Sequence, residues 1–231
     1  MSSSLLPITY RSILGVALPM MVSGFIQSIV LITDSAFISR YSVAGFDAVG
    51  NAGLAYITFY MMLLGMSDGA QILMARRIGE SREDQLGRIL NATWVILGIL
   101  AVIFFTILTL FIPSWISAYS RNQEVASLQG EFIRHRSFAL FFCMITLGFQ
   151  AFYLARGKSW VVLVAALITA STNILFDYLL IFGIGIFPEM GVAGAATASS
   201  IADGLGMMFL VIFTLSSKEN YAYHLFGTIK G

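Results

Sequence analysis

Six apolar runs, each long enough to cross a bilayer, constrain this chain more than any motif in it. They fall at about 13–38, 46–75, 87–113, 131–155, 159–182 and 190–215 of its 231 residues. A helix needs roughly 20 mostly apolar residues to cross a ~30 Å hydrocarbon core. Backbone polar groups in lipid must be satisfied internally, and runs this continuous favour helices over barrel strands. The fold expected is therefore all-α, a polytopic bundle of six transmembrane helices over residues 1–217, with 218–231 a cytoplasmic tail or the start of a linker. Composition agrees, because 11% of the residues are charged and 58% hydrophobic, against about 25% charged in a soluble domain.

The breaks between runs fall at 39–45, 76–88, 114–130, 156–158 and 183–189, all rich in charge, Gly, Pro or Ser. Basic residues set the orientation, since cytoplasmic loops retain Lys and Arg. One side holds Arg11, Arg76, Arg77, Arg82, Arg88, Arg156, Lys158, Lys218 and Lys230; the other holds Arg40, Arg121, Arg134 and Arg136. Nine against four places both termini in the cytoplasm of a cell whose inner or plasma membrane the chain crosses. The first eleven residues lack the charged start and cleavage site of a signal peptide, so the first span is expected to be retained.

Net charge is +1, which leaves no electrostatic footprint for nucleic acid. The single cysteine, Cys143, lies inside an apolar run and reads as a core residue. No GxxxxGK[ST] loop and no HExxH motif occurs, and there are two histidines, so neither nucleotide hydrolysis nor a zinc site has candidate residues and no cofactor is expected. Trp115 and Trp160 sit at span ends, as interfacial aromatics do, whereas Trp94 lies deeper. Gly65 and Gly69 form a GxxxG, and Gly191, Gly194 and Ala198 gather small residues on nearby faces, both expected to mark close helix contacts.

Four carboxylates lie within spans: Asp34, Asp68, Asp177 and Asp203. A charge at the bilayer centre costs about 3 kcal/mol or more, so such residues face a cavity or a partner and mark a pathway. At ~1.5 Å per residue, Asp34 near the outer end of the first span and Asp177 near the outer end of the fifth lie at similar depth and can share a site. Asn173 precedes Asp177 by one helical turn and shares its face. Thr197 or Ser199, early in the sixth span, offers a hydroxyl to the same pocket. Gln27 lies two turns below Asp34. Asp203 falls near the midplane, where a cavity or gating role is favoured. Asp68 lies toward the cytoplasm, with a structural bond to nearby backbone or to Arg76 weighed equally against a pathway role. No Lys or Arg is expected at the centre of a span, with Arg134 and Arg136 at an outer edge.

Four segments carry a resemblance: Ala17-Leu-Pro19 through Asp34-Ser-Ala-Phe, Gly69 to Glu80, Asn173 to Gly183, and Gly191 to Ser199. In order over all six spans, the chain resembles the multidrug and toxic compound extrusion (MATE) family. That resemblance implies an antiporter exporting organic cations or other amphipathic compounds in exchange for protons or sodium. It implies that Asp34, Asn173 and Asp177 bind the coupling cation, with sodium possible at the two aspartates. Ser199 aligns best with the family's hydroxyl in the sixth helix, Thr197 is its neighbour, and Pro19 stands where the first helix bends in some members. Family members carry twelve helices in two lobes, so this chain corresponds to the N-terminal six-helix lobe. The rest is expected from the same full-length chain, a second copy or a separate partner. Two other readings stand beside it: a related flippase for a lipid-linked precursor, which would need cationic side chains lining a cavity, and a membrane scaffold whose aspartates only fix packing.

Overall fold

Capping chemistry fixes where the helices begin. Thr9 accepts a hydrogen bond from the Ser12 amide and opens helix α1, Tyr10–Tyr41. Ser42 alone separates it from α2, Val43–Gly79: its extended backbone ends one helix, and its hydroxyl accepts from the Gly45 amide to start the next. In the computed structural model, which describes residues 9–217 and Tyr223, the chain continues as α3, Leu86–Thr106, and α4, Ile112–Tyr119. Then follow α5, Gln123–Ser137; α6, Ala139–Ala155; α7, Ser159–Phe182; and α8, Gly191–Ser216. No strand occurs among the described residues. Apart from Tyr223, the expected tail at 218–231 lies outside them.

Five stretches are long and apolar enough to cross a membrane: Tyr10–Tyr41, Val43–Gly79, Glu83–Tyr119, Ser159–Phe182 and Gly191–Ser216. The pair α5 and α6, bent by 44°, makes a sixth if counted as one span. The fourth crossing is thus a broken helix beginning at Gln123, where the sequence pattern places one span from 131 and a break over 114–130. That break shrinks to Ser120–Asn122, because Asn122 accepts from the Glu124 and Val125 amides and caps α5 early. The break at 39–45 likewise shrinks to Ser42. Between α3 and α4 the helix widens into a π-turn, Ile107–Phe111. Pro113 explains it, since proline gives no amide to the preceding turn and its ring displaces the carbonyl there.

Two apolar clusters hold the bundle. One joins Leu63, Leu97, Leu108, Ile133 and Leu140; the other joins Met74, Leu90, Phe152, Val161 and Leu210. On α8 they are separated by the polar stretch from Ser199 to Asp203. Two internal polar bonds tie α6 to its neighbours: the Ser67 hydroxyl donates to the Leu147 carbonyl at 2.8 Å, and the Trp94 indole donates to the Ile145 carbonyl at 3.3 Å. Trp94 therefore lies deep because its N–H has a partner and Gly148 leaves room for its ring.

Small residues divide as their surroundings dictate. Gly194 and Gly191 are close contacts: a Cβ at Gly194 would meet the Leu180 carbonyl oxygen at 2.7 Å, and one at Gly191 the Tyr41 ring at 2.5 Å. Gly65 and Gly69 are not, with nothing within 4 Å of either, so the GxxxG faces outward from this bundle. The α7–α8 turn depends on Gly183, whose φ of 65° is left-handed and whose missing Cβ admits the Glu189 amide. The Met190 amide then bonds back to the Leu180 carbonyl and sets α8 antiparallel against α7.

Candidate functional site

Proline inside α1 frees a carbonyl, and the bundle uses it. Pro19 lacks an N–H, so the Gly15 carbonyl loses its partner one turn on. The Ser159 hydroxyl at the start of α7 donates to that carbonyl at 3.5 Å, and α1 runs as one continuous helix across Pro19. α1 packs along α7 over its length, and farther along the pair Asp34 lies beside Asp177.

The two aspartates are electrostatic neighbours. Asp177 is completely buried and Asn173 is 3% exposed. The Asn173 amide donates to the Ser199 hydroxyl oxygen at 3.1 Å across the α7–α8 contact. Toward the C-terminal ends of α1 and α7, Ile38, Ile181 and Ala195 pack together against Phe37 and Phe182, whose rings meet edge to face at 6.0 Å. The result is a cluster of four buried oxygens, Oδ1 of Asp34, Oδ1 and Oδ2 of Asp177 and Oδ1 of Asn173, for which the described residues supply no donor other than a proton shared between the two carboxyl groups themselves. Acceptor atoms without a donor are costly to bury. Oxygen-only donors of this kind suit a proton or a hard cation such as sodium.

Of the residues singled out in the sequence, Asp34, Asn173, Asp177 and Ser199 are thus brought together. Thr197 is not: its hydroxyl donates to the Ala193 carbonyl and sits 3.5 Å from His135 Nδ1, on the side of α8 toward α5. Gln27 and Asp68 are exposed on α1 and α2. Of the alternatives weighed for Asp68, the bond to Arg76 is not formed: Arg76 pairs with Glu80 at 2.9 Å on its own helix.

Arg136 departs most from expectation. Instead of lying at an outer edge it turns inward, with its side chain 16% exposed, and pairs with Asp203 Oδ2 at 2.6 Å. Its guanidinium lies 4.5 Å from the Tyr56 ring centre, and the Cys143 thiol approaches the same Asp203 oxygen at 3.9 Å. Sequence reasoning found Asp203 but missed its partner, because a span expected to begin at 131 puts Arg136 at its edge, whereas the helix begins at Gln123 and carries Arg136 well inside the bundle. The alternation of Arg134, exposed, and Arg136, turned inward, was the available signal.

Fold and pocket together define a class: a polytopic membrane protein with the helical architecture of a MATE transporter half. Among solved structures, the fold matches one described as the outward-facing conformation of a multidrug resistance MATE family transporter of the MOP superfamily, with a TM-score of 0.84 at 20% identity over 91% of this chain and 46% of that one. It also matches a MOP superfamily transporter from Pyrococcus furiosus, described as having a binding pocket of reverse polarity, with a TM-score of 0.83 and 46% of that chain covered. The family model MatE matches residues 19–179, and the chain belongs to that family. Similar sequences include a "Probable multidrug resistance protein NorM" of Thermotoga maritima, 28% identical over 88% of this chain and 44% of that protein. Another of the same name, from Rhizobium meliloti, is 25% identical over 95% and 47%. The chain spans about half the length of these relatives.

Proposed function

We propose that this chain is the N-terminal lobe of an antiporter that exports organic cations or other amphipathic compounds in exchange for protons or sodium, and that the pocket of Asp34, Asn173, Asp177 and Ser199 takes the coupling cation. The observation that carries this reading is the cluster of four buried oxygens on Asp34, Asp177 and Asn173, for which the other described residues supply no donor. Two carboxylates in one low-dielectric pocket repel when both are ionised, and a bound cation relieves that repulsion. Binding draws α1 and α7 together around Asp34 and Asp177; release loosens them. The change passes along α1 to Pro19, where the helix lacks an internal bond and leans on Ser159. Movement of α1 there frees the exported compound from a passage completed by a second six-helix unit, in the same polypeptide, a second copy or a separate partner. The lobe sits in the inner or plasma membrane with both termini in the cytoplasm.

The flippase reading asks for cationic side chains free to meet phosphate. Arg136 is the buried cation that could serve, but Asp203 and the Tyr56 ring already hold it, which favours export of cationic or neutral compounds. The test is efflux of a fluorescent organic cation from vesicles under an imposed proton or sodium gradient. Asp34→Asn and Asp177→Asn should each abolish gradient-driven efflux while leaving membrane insertion intact. Full efflux by either variant would refute the assignment.

A further inference from the structure

The interior of the lobe carries more acid than base. Asp34 and Asp177 are neighbours on α1 and α7, Asp203 lies on α8, and Arg136 is the cation close enough to act on both Asp34 and Asp177. A line of short contacts joins the two groups. Asn173, one turn from Asp177, donates to Ser199; Ser199 lies one turn from Asp203 on α8; and Asp203 holds Arg136 at 2.6 Å. Arg136 is itself held on two sides, by the Tyr56 ring of α2 and by Asp203 of α8, and the Cys143 thiol of α6 approaches the same carboxylate. It stands two residues before Phe138, where α5 and α6 bend by 44°.

We propose that Arg136 is a positioning residue for the coupling-cation pocket: a tethered internal cation, held by Asp203 and Tyr56, that supplies part of the positive charge the acidic interior needs and so limits how tightly Asp34 and Asp177 hold an incoming proton or sodium ion. The inference rests on the cation reading of that pocket. Three carboxylates against one guanidinium leave a deficit that the incoming cation reduces. Without Arg136 the deficit is larger, the pocket binds its cation more tightly, and release, which export requires, becomes slower. A charge-to-charge interaction in a protein interior, at an effective dielectric near 20 and a separation on the order of 10 Å, is worth roughly tenfold in affinity. The titratable groups around Arg136 are Tyr56 and Tyr60 on α2, Cys143 on α6, Asp203 on α8, Asp34 on α1 and Asp177 on α7. Substitution effects must be read against that set.

The experiment is proton binding by the purified chain in lipid nanodiscs, followed as the infrared carbonyl band of protonated carboxyl groups across pH, with sodium binding by equilibrium dialysis of radioactive sodium in parallel. The part of the band lost in Asp177→Asn reports the pocket. In Arg136→Gln the pocket should bind its cation about tenfold more tightly; in Arg136→Lys, which keeps the charge, affinity should stay within about twofold of wild type. Because Arg136→Gln strands Asp203 without its partner, Arg136→Gln combined with Asp203→Asn is measured beside it, and a smaller increase of about threefold is expected. Unchanged affinity in the folded Arg136 variants, with binding still lost in Asp177→Asn, would overturn the role of Arg136 and leave the pocket standing. Binding that survives Asp177→Asn would overturn the pocket reading and this inference with it.

Discussion

Replacing Gly194 by alanine should loosen the contact on which the candidate site depends. The new Cβ would stand 2.7 Å from the Leu180 carbonyl oxygen and 3.0 Å from the Ile181 amide nitrogen. Both are backbone atoms, and the Leu180 oxygen already accepts from the Met190 amide at 2.9 Å, so neither can turn aside. Ordinary contact begins near 3.4 Å, so α7 and α8 must part by about 0.7 Å. Overpacking of this kind costs about 1–3 kcal/mol. Two other glycines serve as controls. At Gly206 the atom in the way is the Thr169 hydroxyl, which can rotate, and the next neighbour is 3.5 Å away, so alanine should cost less than about 1 kcal/mol. At Gly65 nothing lies within 4 Å, and alanine should be neutral or slightly stabilising through helix propensity. The assay is equilibrium unfolding of the 231-residue chain in mixed micelles, with the order of stability Gly65→Ala, Gly206→Ala, Gly194→Ala. Because the Asn173–Ser199 bond of 3.1 Å crosses the same contact, Gly194→Ala should also weaken cation binding while Gly65→Ala does not. Equal stability of Gly194→Ala and Gly65→Ala would refute the packing argument.

Two further outcomes are expected. Ser159→Ala removes the donor to the Gly15 carbonyl beside Pro19, at a cost of about 0.5–1.5 kcal/mol, and should increase motion of the N-terminal half of α1. A spin label at Leu14, which is exposed, would report it; unchanged mobility would show that Ser159 does not restrain α1. Hydrogen bonds from Arg77 and Arg76 at the C-terminal end of α2 hold the Glu80 carboxyl below its ordinary 4.5. A depressed folded value contributes stability above the unfolded one and loses it as pH falls through the folded one. Unfolding of wild type and Glu80→Gln should therefore differ slightly at neutral pH and converge in acid; a gap that widens in acid would reverse the sign.

Five crossings, and a sixth where α5 and α6 count as one, were legible because lipid leaves so few alternatives, and the candidate site was legible in part because depth follows from residue count. Asp34 and Asp177 could be matched in height from the ends of their runs, and Asn173 follows from a single turn. Other features were hidden. Polar residues make 114–130 read as a break and put Arg134 and Arg136 at the edge of a span, yet Asn122 caps a helix there, and so Arg136 enters the bundle. The GxxxG of Gly65 and Gly69 misleads because small residues signal a close approach without naming its side. Thr197 and Ser199 are equivalent by type and depth; the 200° between them on the helix sends one to α5 and the other to Asn173.

The central claim is that export and cation uptake share the pocket of Asp34 and Asp177. It is tested most directly by adding an organic cation to sealed vesicles that hold the protein with its complementary six-helix unit, and recording ion movement with a proton- or sodium-sensitive dye. The account predicts substrate-evoked ion movement opposite to the substrate, abolished in Asp177→Asn. Transport of the compound with no accompanying ion movement, or ion movement that persists in Asp177→Asn, would contradict it.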